Sequence, residues 1–241
     1  MGRNKNRLRT NASTNSNLVL EPSAGAENIQ EVSIALPRLV LMTVLPRVLP
    51  TFREKFPDVR LHIEERSSSA ATAVATGHVD IALYAGPDRD PDLTYQLLPP
   101  VPMIVASPRI YLWNTERISA RALSRQPLVV YPKTSVLRDI MDRWFRKSRV
   151  KPKEIVMTVR DTETILKFVG LGLGHALVPS MGLRTSSDYM FHQVSATVDN
   201  YSPMLVYRSD DYHGLSKPAA SLLETIEGLW PALARIWPTS E

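Results

Sequence analysis

The chain has 241 residues, 44% of them hydrophobic and 22% charged, which supports a packed core and excludes a wholly disordered polymer. Its 29 Lys and Arg against 24 Asp and Glu leave a formal charge of +5, a general bias toward anionic partners and no more. With no cysteine, disulfides, thiol nucleophiles and Cys-based metal sites are excluded, and no apolar run is long enough for a membrane-spanning helix, so a cytoplasmic protein without membrane contact is expected.

Residues 1–30 are rich in Asn, Ser, Thr and Ala without periodicity and read as a disordered tail with a basic, solvated tip at Arg3, Lys5, Arg7 and Arg9. No secretory apolar core follows that tip, only the short patch Leu18, Val19, Leu20. Order is expected from Val32, where VSIAL (32–36) suits a buried strand. In LPRVLPTFREKFPDV, Leu45, Leu49, Phe52 and Phe56 fall at helical spacing, with Pro46 near the helix start and Pro57 closing it. VRLHIEE (59–65) alternates apolar and polar residues, the pattern of a strand covered on one face.

Ser67 to Ser69 supply caps for a helix AATAVAT that ends at Gly77, and VDIALYAG follows as a buried strand. Strand–helix–strand–helix–strand is the signature of a parallel sheet with covering helices. Pro99, Pro100 and Pro102 punctuate the chain, and the expected boundary there divides lobe I, 31–100 plus 203–241, from lobe II, 101–202. In lobe II, PMIVASP, LVVYP (128–132), EIVMTV (154–159) and HALVPS read as strands. Between them lie the amphipathic helix KTSVLRDIMDRWFRKS, capped by Thr134 or Ser135, and the helix TETILKFVGL, capped by Asp161. SPMLVYR (202–208) is a returning strand, and a last helix runs from Ser216 to Trp230.

The glycines of GLGLG (170–174) invite a nucleotide-binding reading. A dinucleotide site needs strand, glycines, then helix; here the helix comes first, so Gly172 and Gly174 are expected to end it and turn into a strand. DRDPD (88–92) lacks the Gly and Glu of a calcium loop, and the five histidines show no metal-binding spacing. No nucleophile elbow is present, so neither an enzyme nor a cofactor is expected. Arg38, Lys133 and Arg160 each fall at the carboxyl end of an expected strand, beside a helix start, where cations and free backbone N–H groups can hold a carboxylate or oxyanion.

LPRVLPTFREKFPDVRLHIEERSSSAATAVATGHVDIAL resembles the effector-binding domain of LysR-type transcriptional regulators, and the likeness continues through LVVYP and DTETILKFVGLGLGHALVPSM, covering about residues 31–235. Within the family, VRDTETILKFVGLGLG is most similar to the sulfur-metabolism branch. The resemblance implies an α/β fold of two Rossmann-like lobes joined by two crossing strands, as in type 2 periplasmic binding proteins, with crossings near Pro100–Val105 and Tyr201–Val206. It also implies an effector pocket in the cleft formed by Leu36, Pro37, Arg38 and Leu39, by Lys133, Thr134 and Ser135, and by Arg160, Asp161 and Thr162.

The turn LPRLVL departs from the family in offering only Arg38 as a polar group, so Arg38 and Arg160 are expected to clamp an anion directly. The expected ligand is a small anionic effector and the expected assembly a homo-oligomer, dimer or tetramer, formed through an apolar helix face such as Leu45–Phe56 or Ser68–Thr76. DNA would be reached only through a helix-turn-helix domain, for which residues 1–30 are too short and too polar. The alternative is a solute-binding protein of a transporter, which shares this fold but predicts export.

Overall fold

The computed structural model describes residues 17–20, 30–195, 198–208 and 215–234. Most of the expected elements form within one residue or two of their expected ends. A six-stranded sheet has the order β1-β3-β2-β4-β12-β5, with β1 at Asn17–Leu20, β2 at Gln30–Leu36, β3 at Val59–Glu65, β4 at Ile81–Tyr84, β5 at Leu93–Leu97 and β12 at Met204–Arg208. β2 runs parallel to β3 and to β4, as the strand–helix–strand order demands. β12 returns antiparallel between β4 and β5, which makes the sheet mixed.

Side-chain alternation decides the two faces. Ile34, Leu36, Ile81 and Leu83 point into the main core, beneath α1 (Arg38–Thr43), α2 (Leu45–Lys55) and α7 (Lys217–Ala234), while Ala35, Ala82 and Val206 pack under α3 (Ala70–Ala75). Asp80 ties the turn before β4 to β2: its Oδ2 accepts from Ser33 N and Ser33 Oγ, both at 2.7 Å. Gly77, at φ +69°, ends α3 as expected.

A second sheet has the order β10-β6-β11-β7, with β6 at Met103–Pro108, β7 at Arg117–Ile118, β10 at Ala176–Pro179 and β11 at Tyr189–Val194. β8 (Pro127–Val130) and β9 (Glu154–Thr158) form a parallel pair joined to it through a bridge between Leu128 and His175. The helices α4 (Ala120–Leu123), α5 (Val136–Lys147) and α6 (Thr162–Gly170) complete this half. The chain crosses between the two halves twice, and the crossings hold each other: Val101 and Tyr201 exchange backbone hydrogen bonds of 2.8 and 2.9 Å.

Two expectations need correction. Residues 17–20, assigned to the disordered tail, form β1, because Leu18, Val19 and Leu20 complete the edge beside β3; the remainder of 1–29 lies outside the described residues. Residues 38–43 form α1 rather than an open turn, because Val40, Leu41 and Val44 recur at helical spacing and all are buried. In the second sheet β6 runs antiparallel to both β10 and β11, a direction on which the sequence reading made no claim. Gly172 and Gly174 do close α6. Gly172 adopts φ +80°, and the bonds Gly172 N to Val169 O and Leu173 N to Phe168 O form a Schellman cap. Gly174 lies so close to the neighbouring chain that a Cβ there would sit 2.6 Å from Pro127 O.

Candidate functional site

A cavity of about 630 Å³ opens between the helices of the six-stranded sheet and the other half of the molecule. α1, α2 and the end of α7 form one wall; the first turns of α6 and the segment 181–189 form the other. Pro37 N-caps α1 without a side-chain bond, which leaves Arg38 in the first turn, aimed across the opening.

Arg38 spans both walls. Its NH1 donates to Glu65 Oε2 at 3.2 Å on its own side, and its Nε donates to Asp161 Oδ1 at 3.3 Å on the other. Asp161 serves two tasks, because its Oδ2 also accepts from Thr164 N (2.9 Å) and Thr164 Oγ1 (2.5 Å), capping α6. Burial acts to raise the Asp161 pKa, but the Thr164 hydrogen bonds and the Arg38 charge outweigh it, and the carboxyl titrates below its ordinary value. Thr162 is buried beneath this contact, its Oγ1 2.7 Å from Tyr131 Oη, and burial raises the Tyr131 pKa above the usual phenol range. The walls also meet at Gly182, where an added Cβ would collide with Thr43 Cγ2.

Of the residues expected from sequence, Arg38, Leu39, Asp161 and Thr162 line this cavity. Leu36 is core, 1% exposed, and Pro37 caps α1 beside it. Ser135 Oγ is occupied as the N-cap of α5, accepting from Leu137 N. Lys133, Thr134 and Arg160 are exposed and line neither this cavity nor the smaller one on α2.

Arg38 therefore already has two carboxylate partners. Lys167 pairs with Glu163 at 3.5 Å, a well-exposed pair of small energetic weight. Arg47 of α2 and Arg184 of the opposite wall also line the cavity and, among the described residues, have no acidic partner. Neither was expected from sequence: Arg47 is one of several cations in the helix pattern, and Arg184 lies in a segment without periodicity. Chemically, two free guanidiniums facing one cavity from opposite sides can hold a carboxylate or sulfate.

The profile of the LysR substrate binding domain matches residues 25–229. The chain belongs to this family. Relatives include the HTH-type transcriptional activator IlvY of Haemophilus influenzae, 26% identical over 63% of this chain and 52% of that protein. Others are the HTH-type transcriptional regulator CysB of the same organism (29%, covering 57% and 43%) and CzcR of Bacillus cereus (25%, covering 77% and 63%). This LysR-family chain thus spans about half the length of the curated relatives it matches.

Solved structures show the fold. The effector-binding domain of BenM with its effector benzoate superposes with a TM-score of 0.73 over 88% of this chain and 99% of that one, at 19% identity. The effector-binding domain of QuiR in complex with shikimate gives 0.71 over 85% and 99%, at 14% identity. The α/β architecture like that of type 2 periplasmic binding proteins is the fold of these LysR effector-binding domains. Among the described residues, no helix is long and apolar enough to cross a membrane.

Proposed function

We propose that this LysR substrate-binding domain senses a small anionic effector in the cavity between its two halves and passes the signal to transcription through a helix-turn-helix domain. The curated relatives are HTH-type regulators about twice the length matched here, which supports the DNA-binding partner. The observation that carries the anion is the pair Arg47 and Arg184, which line one cavity from opposite walls and, among the described residues, are not paired with its carboxylates Asp161 and Glu163 or with any other. In this reading 31–100 plus 203–241 form one lobe and 101–202 the other; the reciprocal bonds of Val101 and Tyr201 at the crossing support that division. An anion bridging Arg47 and Arg184 draws the walls together and biases a dimer or tetramer. The protein acts as a sensor, not an enzyme.

Isothermal titration with benzoate, shikimate and sulfate tests the site. At least one of the three is expected to bind, and Arg47→Ala and Arg184→Ala should each weaken it about 10- to 100-fold, the usual loss of a charge-assisted hydrogen bond. Binding that survives both substitutions unchanged would place the anion elsewhere.

A further inference from the structure

We infer that the effector carries two acidic groups on an apolar spacer, one for each wall of the cleft: a linear dicarboxylate. The inference rests on the reading of the cleft as an anion site and names the class of ligand. Among the charged residues that line it, Arg38 bonds Asp161 and Lys167 pairs with Glu163, so each lining carboxylate already faces a cation. Asp161 titrates below its ordinary value, so its match with Arg38 holds at neutral pH. Glu65, the other partner of Arg38, lies outside the lining. Arg47 and Arg184 are left over, one on each wall, and among the described residues neither has an acidic partner.

The place of these two arginines argues for two acidic groups rather than one. The walls touch where Thr43 meets Gly182, so closely that a Cβ on Gly182 would collide with the Thr43 methyl. Arg47 lies about one helical turn beyond Thr43, and Arg184 follows Gly182 after a single residue. The contact therefore props the walls apart beside both arginines and sets a floor to the gap that a ligand must span. Each guanidinium offers its own fork to a carboxylate, and a ligand with one acidic group fills one fork and leaves the other to water.

The lining between the walls suits an apolar spacer, since Met42, Leu166, Met181 and Leu183 belong to the same cavity. A phosphate fits less well. Phosphate sites draw on free backbone N–H groups at a helix N-terminus, and the first turn of α6 is already capped by a carboxylate, Asp161, which accepts from Thr164 N.

Isothermal titration of the 241-residue chain with the dicarboxylates from malonate to suberate, each beside its monomethyl ester, tests the inference; inorganic phosphate serves as the compact control. One length is expected to bind best, at least about tenfold tighter than its own monoester, which keeps the spacer and loses one charge. Arg47→Ala and Arg184→Ala should each lower that dicarboxylate to about the affinity of its monoester. Both side chains are exposed, so neither substitution removes a core contact.

A monoester as tight as its diacid would overturn the second acidic group and leave the anion site standing. Binding of benzoate, sulfate or phosphate where no dicarboxylate binds would overturn the spaced diacid in the same way. Failure of every anion in the set would overturn the inference and the anion site together.

Discussion

Gly182 combines a left-handed backbone, φ +69°, with direct apposition to the Thr43 methyl across the cleft. A side chain there meets two costs, backbone strain and collision. Gly182→Ala is therefore expected to destabilise the fold by about 1–2 kcal/mol, read from urea unfolding. Adding Thr43→Ala should recover the steric share and leave the backbone share, a split visible in a double-mutant cycle. At this scale the sequence carries half the candidate site. Arg38 and Asp161 are legible because a strand end and a helix cap are local patterns. Arg47 and Arg184 are not, because nothing local separates them from other surface arginines; only the packing of α2 opposite 181–184 makes them neighbours of one cavity. Lys133 and Arg160 meet the same local criterion as Arg38, yet they remain exposed outside the cavity.

Elements that bury a regular face declare themselves, as β3 does with its alternating buried residues at 59–65. β5, β7, β11 and α4 escaped because they are short or lack such a face; β11 has no fully buried residue at all. β11 nonetheless builds an unusual element junction with β6 and the start of β10. Ser107 Oγ lies 2.9 Å from His175 Nδ1 and accepts from Trp113 Nε1 at 2.8 Å, while Tyr111 packs edge-on to His175 with ring centroids 4.5 Å apart. His192 of β11 has its Nε2 buried without a hydrogen-bond partner among the described residues. Burial, with a smaller push from His192, lowers the His175 pKa to about 4. The unfolded chain takes up this proton near the ordinary histidine pKa of about 6.5, the folded one only near 4. Stability contributed by neutral His175 is therefore complete above pH of about 6.5 and falls as the pH drops toward 4, by up to about 3 kcal/mol. Thermal melts between pH 7 and 4 should show this slope, and His175→Asn, which keeps a hydrogen-bonding group near Ser107, should flatten it.

For the molecule as a whole, the two halves are legible from the order of elements, and the mixed direction of the strands is not, because strand polarity follows from where the chain crosses. One core runs through both halves and Gly182 meets Thr43 across the opening, but the polar contact there is slight. The Arg38–Asp161 pair is partly exposed, 47% and 25%, so its net worth is within about 1 kcal/mol. Arg38→Ala should accordingly lower Tm by less than about 4 °C. It should also speed hydrogen exchange in α1 and 181–184 much more than in β2, since the cleft opens while the core stays closed.

The end of the chain adds a consequence of its own. The indole of Trp230, fully buried in α7, donates to Pro99 O at 2.8 Å, on the segment where the chain first leaves the six-stranded sheet. Leu233, less than a turn further on, lines the cleft. Both groups belong to the half built on the six-stranded sheet, so the bond pins α7 to the last residues before the chain departs for the other half, and a swing of the halves pivots just beyond a fixed indole.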